Sequence, residues 1–95
     1  MQLNKERRIV EAAAAIYRVS AADIMGKGRS RAATDARHMC MLVLSDMGEY
    51  NPHIAQVFNV TVDAVRYSIY TARNLVETRP FSRRRYEDLI QCMDD

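Results

Sequence analysis

The chain has 95 residues, of which 48% are hydrophobic and 27% are charged, and its formal net charge at pH 7 is +2. This composition is typical of a globular domain and excludes an intrinsically disordered protein, and the length suffices for a single core. No apolar run approaches the ~20 residues of a membrane span, and no apolar segment follows the charged N-terminus. We therefore expect one domain over residues 1–95, without a signal peptide, in the cytoplasm.

The small net charge conceals blocks of opposite sign. Residues 26–40 contain four basic residues and one acidic residue, and residues 73–86 contain five basic residues and one acidic residue. Residues 87–95 contain four acidic residues and no basic residue. Such blocks create local fields that the net charge does not reveal. The sequence does not tell which of the blocks adjoin in space.

The two cysteines, Cys40 and Cys92, both lie in helix-like sequence. Neither belongs to a CxxC pair, and His38 and His53 are not spaced as zinc ligands with them. Free cysteine is often buried as a small hydrophobic residue. We therefore expect both cysteines in the core, and we expect no metal site and no cofactor.

Two helices are predicted before residue 27. Asn4 can cap a first helix, rich in alanine, that ends near Arg18. Ser20 stands three residues before Asp23, which is an acidic variant of the capping box and predicts the start of a second helix. Gly26 should end this short helix.

A long third helix is predicted after the glycine-containing loop. Thr34 or Asp35 is expected to cap it, and Gly48 is expected to end it near Met47. Its apolar residues cover much of its circumference, which predicts a central position: Met39, Met41, Leu42, Val43, Leu44 and Met47.

The stretch HIAQVFNVTVDAVRYSI, within residues 51–77, follows the helix-turn-helix pattern. Asn51 is expected to cap the first helix with Pro52 at its first position, Asn59 suits a left-handed turn, and Thr61 caps the second helix. Small and apolar residues then fit the crossing and the buried stripe: Ile54, Ala55, Val60, Val65, Ile69, Ala72 and Val76. In DNA-binding versions the second helix lies in the major groove. Its first turns would present Thr61, Val62, Asp63, Arg66 and Tyr67, although an ordinary helical hairpin is the alternative.

A last helix is predicted over residues 82–93, because Arg79-Pro80 breaks the preceding helix and Ser82 can cap the next one. No strand-length alternation and no internal repeat occur. The fold class is therefore all-α, a small bundle of about six helices. The stretch RPFSRRRY, residues 79–86, is either a further DNA contact or a solvated face.

The order of these parts resembles the C-terminal DNA-binding domain of the bacterial replication initiator DnaA, a Trp-repressor-like helical fold. That family reads V-x-x-L, a basic loop K-x-R-S-R, A-R-Q-x-A-M and P-x-I-G-x-x-F. The matching stretches here are VSAADIMGKGRSR, ARHMCM and PHIAQVF, and the resemblance covers about residues 5–77.

The resemblance implies DNA contacts from residues 26–37, which we call the basic segment. By motif position Arg29 would enter the minor groove, and Arg37 and His38 would lie close to phosphates. Independently of the family, arginine and lysine suit phosphates and a narrow groove of negative potential, which fits Lys27, Arg29, Arg31 and Arg37.

The predicted reading helix departs from the family. The family opens it with D-H-T-T-V, whereas residues 61–65 here are TVDAV, and only Val65 is retained. The DNA sequence recognised should therefore differ. Asp63 could accept a hydrogen bond from a cytosine amino group, or it is simply an acid favoured at a helix start.

These features predict a protein that binds double-stranded DNA and regulates replication or transcription in a bacterium, a phage or a mobile element, associated with the nucleoid. The alternative is a protein–protein interaction module of the same fold that has lost base reading, with the initiator or a second copy of this chain as partner. No catalytic pairing and no GxxxxGK[ST] motif occurs, so neither an enzyme nor ATP-driven helicase loading is expected. No membrane or small-molecule partner is expected.

Overall fold

The computed structural model describes residues 4–26 and 28–94, and these residues form six α-helices and no strand. The helices are α1 (Asn4–Tyr17), α2 (Ala21–Met25), α3 (Arg31–Asp46), α4 (Asn51–Phe58), α5 (Val62–Thr78) and α6 (Pro80–Asp94). The prediction of a small all-α bundle is therefore confirmed. No helix among these residues is long and apolar enough to cross a bilayer.

Helix α3 is the centre of the bundle, as its apolar circumference predicted. It contacts all five other helices. Six consecutive residues, Met39–Leu44, are at most 2% exposed. The other helices each contribute buried side chains to the same core, among them Ile9, Ala13, Ile24, Ile54, Val65, Ala72 and Leu89. Met47, which follows the last turn of α3, is instead 36% exposed.

The start of α3 differs from the prediction. Ser30, and not Thr34 or Asp35, is the N-cap: its backbone is extended, and its hydroxyl accepts a hydrogen bond from the Ala33 N–H at 3.0 Å. Thr34 and Asp35 lie inside the helix. The apolar repeat predicts the later start. The first turn does not show that repeat, because its only buried residue is the small Ala33.

The starts of α1 and α4 are also shifted by one residue. Asn4, predicted as a cap, is the first residue of α1. Asn51 is the first residue of α4 and Pro52 the second, and Tyr50 occupies the N-cap without a side-chain hydrogen bond. Proline is tolerated anywhere in the first turn of a helix, because the N–H groups there have no partner within the helix.

The last helix begins at Pro80, two residues before the predicted start. Arg79 is extended, with φ −126° and ψ 118°, as the residue before a proline prefers. Proline itself is favourable at the first helical position, so the helix restarts at once and Ser82 lies within its first turn.

Three predicted turn features are confirmed. Ser20 caps α2 by accepting from the Asp23 N–H at 3.0 Å, and Thr61 caps α5 by accepting from the Ala64 N–H at 3.1 Å. Asn59 is left-handed, with φ 56° and ψ 51°. The side chains of the predicted stripe of α5 face the core, with Val65 and Ala72 buried and Ile69 and Val76 half-buried.

The cysteines separate into two environments. Cys40 is fully buried, as predicted. Cys92 is exposed, so the prediction that both lie in the core is wrong for it. The side of α6 that faces the core carries Tyr86, Leu89, Ile90 and Met93, and Cys92 lies at the edge of this side, in the last turn of the helix.

Replacing Ser30 with alanine should lower the free energy of unfolding by about 1 kcal/mol, because the Ala33 N–H loses its cap. Thr34→Ala is the matched control and should change stability by less than about 0.5 kcal/mol. Urea unfolding followed by circular dichroism measures both. A larger loss from the Thr34 variant would contradict the assignment of the cap.

Candidate nucleic-acid interface

The loop between α2 and α3 is packed closely against α2. Gly28 lies so near that a Cβ atom there would stand 2.9 Å from the carbonyl oxygen of Asp23 and 2.8 Å from its Cβ. Real Cβ atoms do not approach backbone so closely, so a larger residue would push the loop away from α2. The glycine therefore allows the close approach that fixes the path of the loop.

Arg37 fastens the same loop from α3. Its Nε donates a hydrogen bond to the carbonyl oxygen of Ile24 at 2.7 Å, and its Nη2 donates to those of Asp23 at 2.8 Å and Gly28 at 3.1 Å. The guanidinium that the resemblance assigns to phosphates is thus engaged with three carbonyls of its own chain. It satisfies acceptors at the end of α2, where a helix leaves its last carbonyls without partners.

The loop and the first residue of α3 expose two arginines to solvent. Arg29 and Arg31 are both exposed, on either side of the Ser30 cap. Lys27, the other predicted phosphate contact of this loop, lies outside the described residues.

One surface cleft brings the basic segment beside the helix-turn-helix. The cleft has a volume of about 560 Å³, and its lining includes Arg29, Gly28, Asn59 and Val60. Asn59 and Val60 belong to the turn that leads into α5. The basic segment and the entrance of the predicted reading helix therefore share a face of the molecule, which the sequence alone could not tell.

The first turns of α5 carry the predicted base contacts. The Thr61 hydroxyl is used as the helix cap, and Val62 is half-buried. Arg66 and Asp63 form an ion pair at 3.2 Å, with side chains 67% and 90% exposed. Exposed pairs of this kind are worth little, so Arg66 can leave Asp63 for another acceptor at small cost.

The ring of Tyr67 packs against the imidazole of His38. The tyrosine is 65% exposed, and its ring meets the edge of the imidazole with centroids 6.1 Å apart and planes at 90°. Burial of His38 lowers the pKa of its imidazole, a shift that the nearby Asp35 partly opposes. His38 is therefore neutral at pH 7 and is not a cationic partner for phosphate. Its Nδ1 is buried and has no hydrogen-bond partner within the described part of the chain.

The second basic block, residues 73–86, makes contacts between helices through Arg85 and Arg73. The Arg85 guanidinium lies 4.6 Å from the centroid of the Tyr17 ring, and Arg73 pairs with Asp46 at 2.9 Å. Burial raises the pKa of Tyr17 to about 12 despite this arginine. Within residues 79–86, Arg85 thus contacts another helix, whereas Arg79, Arg83 and Arg84 are exposed and line one cleft.

Sequence reasoning missed a polar cluster between α1 and α4, formed by Glu6, Glu49 and His53. Glu6 is only 7% exposed, and its Oε2 lies 2.8 Å from Nε2 of His53. A signal for it exists: Glu6 stands three and seven residues before Ile9 and Ala13, on the apolar face of α1. An acidic residue on a buried face requires a partner from another element.

No known family model matches the chain, and no curated protein matches it at a significant level.

Replacing Arg37 with methionine should lower the free energy of unfolding by about 2 kcal/mol, since three carbonyls lose a charged donor while the apolar stem is kept. Arg31→Ala removes the same charge from an exposed position and should cost at most about 0.5 kcal/mol. Urea denaturation gives both values. Equal stabilities would mean that the contacts of Arg37 do not hold the loop.

The stability of the protein should fall as the pH drops below about 6.5, in part through His38. Its pKa is lower in the folded chain than in the unfolded chain, so between these two values the unfolded chain binds more protons. The contribution is fully present above the unfolded pKa and decreases towards the folded one. His38→Gln should flatten this part of the profile, measured by thermal unfolding from pH 4.5 to 7.5. An unchanged pH profile would contradict the neutral, buried state of His38.

Proposed function

We propose that the chain binds double-stranded DNA through α4, α5 and the basic segment, with a fold of the DnaA C-terminal, Trp-repressor-like type. The observation that carries this proposal is the cleft lined by Arg29 together with Asn59 and Val60. A single duplex lying across this face can meet the arginines of the loop and the first turns of α5 at the same time.

Backbone contacts would come from the loop between α2 and α3. Arg29 and Arg31 are exposed and positively charged, which suits phosphate oxygens, and Lys27 is a further candidate by sequence. The resemblance to DnaA adds that Arg29 enters the minor groove. Such contacts set the register and orientation of the protein on the duplex, without reading its sequence.

Arg37 and His38 receive positioning roles in this proposal instead of the phosphate contacts that the resemblance implies. Arg37 holds the loop through the carbonyls of Asp23, Ile24 and Gly28. His38 supports the ring of Tyr67. A loop and an aromatic ring that are held before binding lose less conformational entropy when DNA arrives.

Base contacts would come from α5. Arg66 can exchange its weak pair with Asp63 for the O6 and N7 acceptors of guanine, and Asp63 then becomes available to a cytosine amino group. Tyr67 offers an exposed aromatic edge nearby. Thr61 and Val62 lie at the entrance of the helix, where a hydroxyl and an apolar side chain can contact phosphate and a thymine methyl group.

The biological role that fits these contacts is regulation of replication or transcription by a bacterial, phage or mobile-element protein. A second candidate is a protein-interaction module, which the exposed Tyr67 and Tyr70 favour, at 65% and 68% exposed. Aromatic residues are enriched at protein interfaces. The initiator or a second copy of this chain would then be the partner.

The proposal predicts salt-sensitive binding to duplex DNA that depends on Arg29. With three basic phosphate contacts, Lys27, Arg29 and Arg31, affinity should fall roughly 10–10²-fold between ~50 and ~200 mM salt. Arg29→Ala should weaken binding to all sequences and reduce the slope of log affinity against log salt by about one. Fluorescence anisotropy at several salt concentrations measures both. Arg7→Ala, an exposed charge on α1, is the matched control and should leave the slope unchanged.

Selection of bound duplexes from a random pool tests base reading in the same experiment. A selected motif that changes on Arg66→Ala or Tyr67→Ala would support reading by α5. Salt-sensitive binding without any motif would contradict base reading and leave a non-specific DNA protein. Absence of binding at ~50 mM salt would overturn the proposal and favour the interaction module.

A further inference from the structure

Three metal-ligating side chains that have no part in the proposed DNA contacts meet beside the N-terminal end of α4. Glu6 comes from α1, Glu49 from the turn after α3, and His53 from α4. Nε2 of His53 lies 2.8 Å from Oε2 of Glu6 and 3.5 Å from Oε1 of Glu49. One donor atom from each residue lies within 4.8 Å of the other two.

The buried carboxylate of Glu6 is an independent indication of a ligand. Its residue is 7% exposed, and its Oε1 atom is buried with no hydrogen-bond partner among the described residues. The hydrogen bond with His53 holds the pKa of this carboxyl below its usual range, although burial opposes the shift. A charged group with an unpartnered oxygen inside a protein is costly unless a cation or a donor compensates it.

We propose that Glu6, Glu49 and His53 bind a divalent transition-metal ion, for which Zn²⁺ is the best fit. Zn²⁺ takes histidine nitrogen and carboxylate oxygen at about 2.0–2.2 Å, which places the donors of a tetrahedral site about 3.3 Å apart. The two distances at His53, 2.8 and 3.5 Å, lie on either side of that value. Small side-chain movements would therefore form the site.

The surroundings suit such an ion. The second oxygen of Glu49 contacts the ammonium group of Lys5, which leaves the Oε1 atom of Glu49 facing His53. Two carboxylates balance the charge of a divalent cation. The His53 side chain is 42% exposed and, with Glu49, lines an open cleft of about 990 Å³, which gives an entry path and room for a water ligand. Val62 and Arg66 of α5 line the same cleft.

The expectation of no metal site came from the spacing of cysteine and histidine alone. This cluster uses carboxylates from separate elements, which no local spacing can reveal. An ion bound there would join α1 and the turn after α3 to α4, the first helix of the helix-turn-helix. Binding should therefore stabilise the fold whether or not the protein binds DNA.

Calorimetric titration of untagged protein with Zn²⁺ tests the site. Cys92→Ser and His38→Gln in the starting protein remove the exposed thiol and the other imidazole as rival ligands. We expect one ion per chain with a dissociation constant in the micromolar range or below. At ~100-fold excess over that constant, Tm should rise on the order of 10 °C. Co²⁺ should give visible absorption bands of low coordination number, which Zn²⁺ removes.

Variants separate this site from adventitious binding. His53→Gln and Glu49→Gln should each weaken Zn²⁺ binding at least about tenfold, as should Glu6→Gln if circular dichroism shows it folded. Glu11→Gln, an exposed acid on α1, is the matched control and should bind normally. No binding at ~100 µM Zn²⁺ would overturn the proposal, as would binding that survives both His53→Gln and Glu49→Gln.

Discussion

The burial of Met39–Leu44 in the middle of α3 is the constraint on which the proposed DNA-binding surface and the proposed metal site both depend. Each large apolar side chain within Met39–Leu44 contributes about 1.5–3 kcal/mol on burial, against a total stability of about 5–15 kcal/mol for a domain of this kind. The first turns of α3 hold the loop through Ser30 and Arg37, and its flank supports Tyr67 through His38. Since α3 holds the loop and α5 packs against the same buried helix, the core fixes the placement of the loop relative to α5.

The features that the sequence predicted well are those decided within a few residues. Asn59 and Thr61 are examples, because a left-handed turn and a helix cap depend on the residue itself and on amides two or three positions away. The apolar repeat of α5 likewise predicts which face of the helix is buried. The same local rules failed by one to five residues at the starts of α1, α3, α4 and α6, where several adjacent residues can each begin a helix and small residues hide the period.

Other features could not be predicted, because they depend on which elements meet. The side chain of Arg37 is long enough to reach either a phosphate or a carbonyl, and only the position of α2 puts three carbonyls within its range. Glu6 lies on the apolar face of α1 and needs a partner, but only the position of α4 identifies that partner as His53. The cleft beside Arg29 exists because α2 and the turn before α5 both pack on α3. The contacts of Arg29, Arg31, Arg66 and Tyr67 with DNA stay predictions.

Because the two cysteines differ in burial, the rate at which Cys40 is alkylated measures how often the core opens. Burial raises the pKa of the Cys40 thiol to about 12 and removes it from solvent, while Cys92 is exposed on α6. An alkylating reagent therefore reacts at once with Cys92, whereas it reaches Cys40 only in molecules whose core has opened, since the reactive species is the solvated thiolate. Each chain thus carries a site for attaching a reporter and a second site that records how often the bundle comes apart.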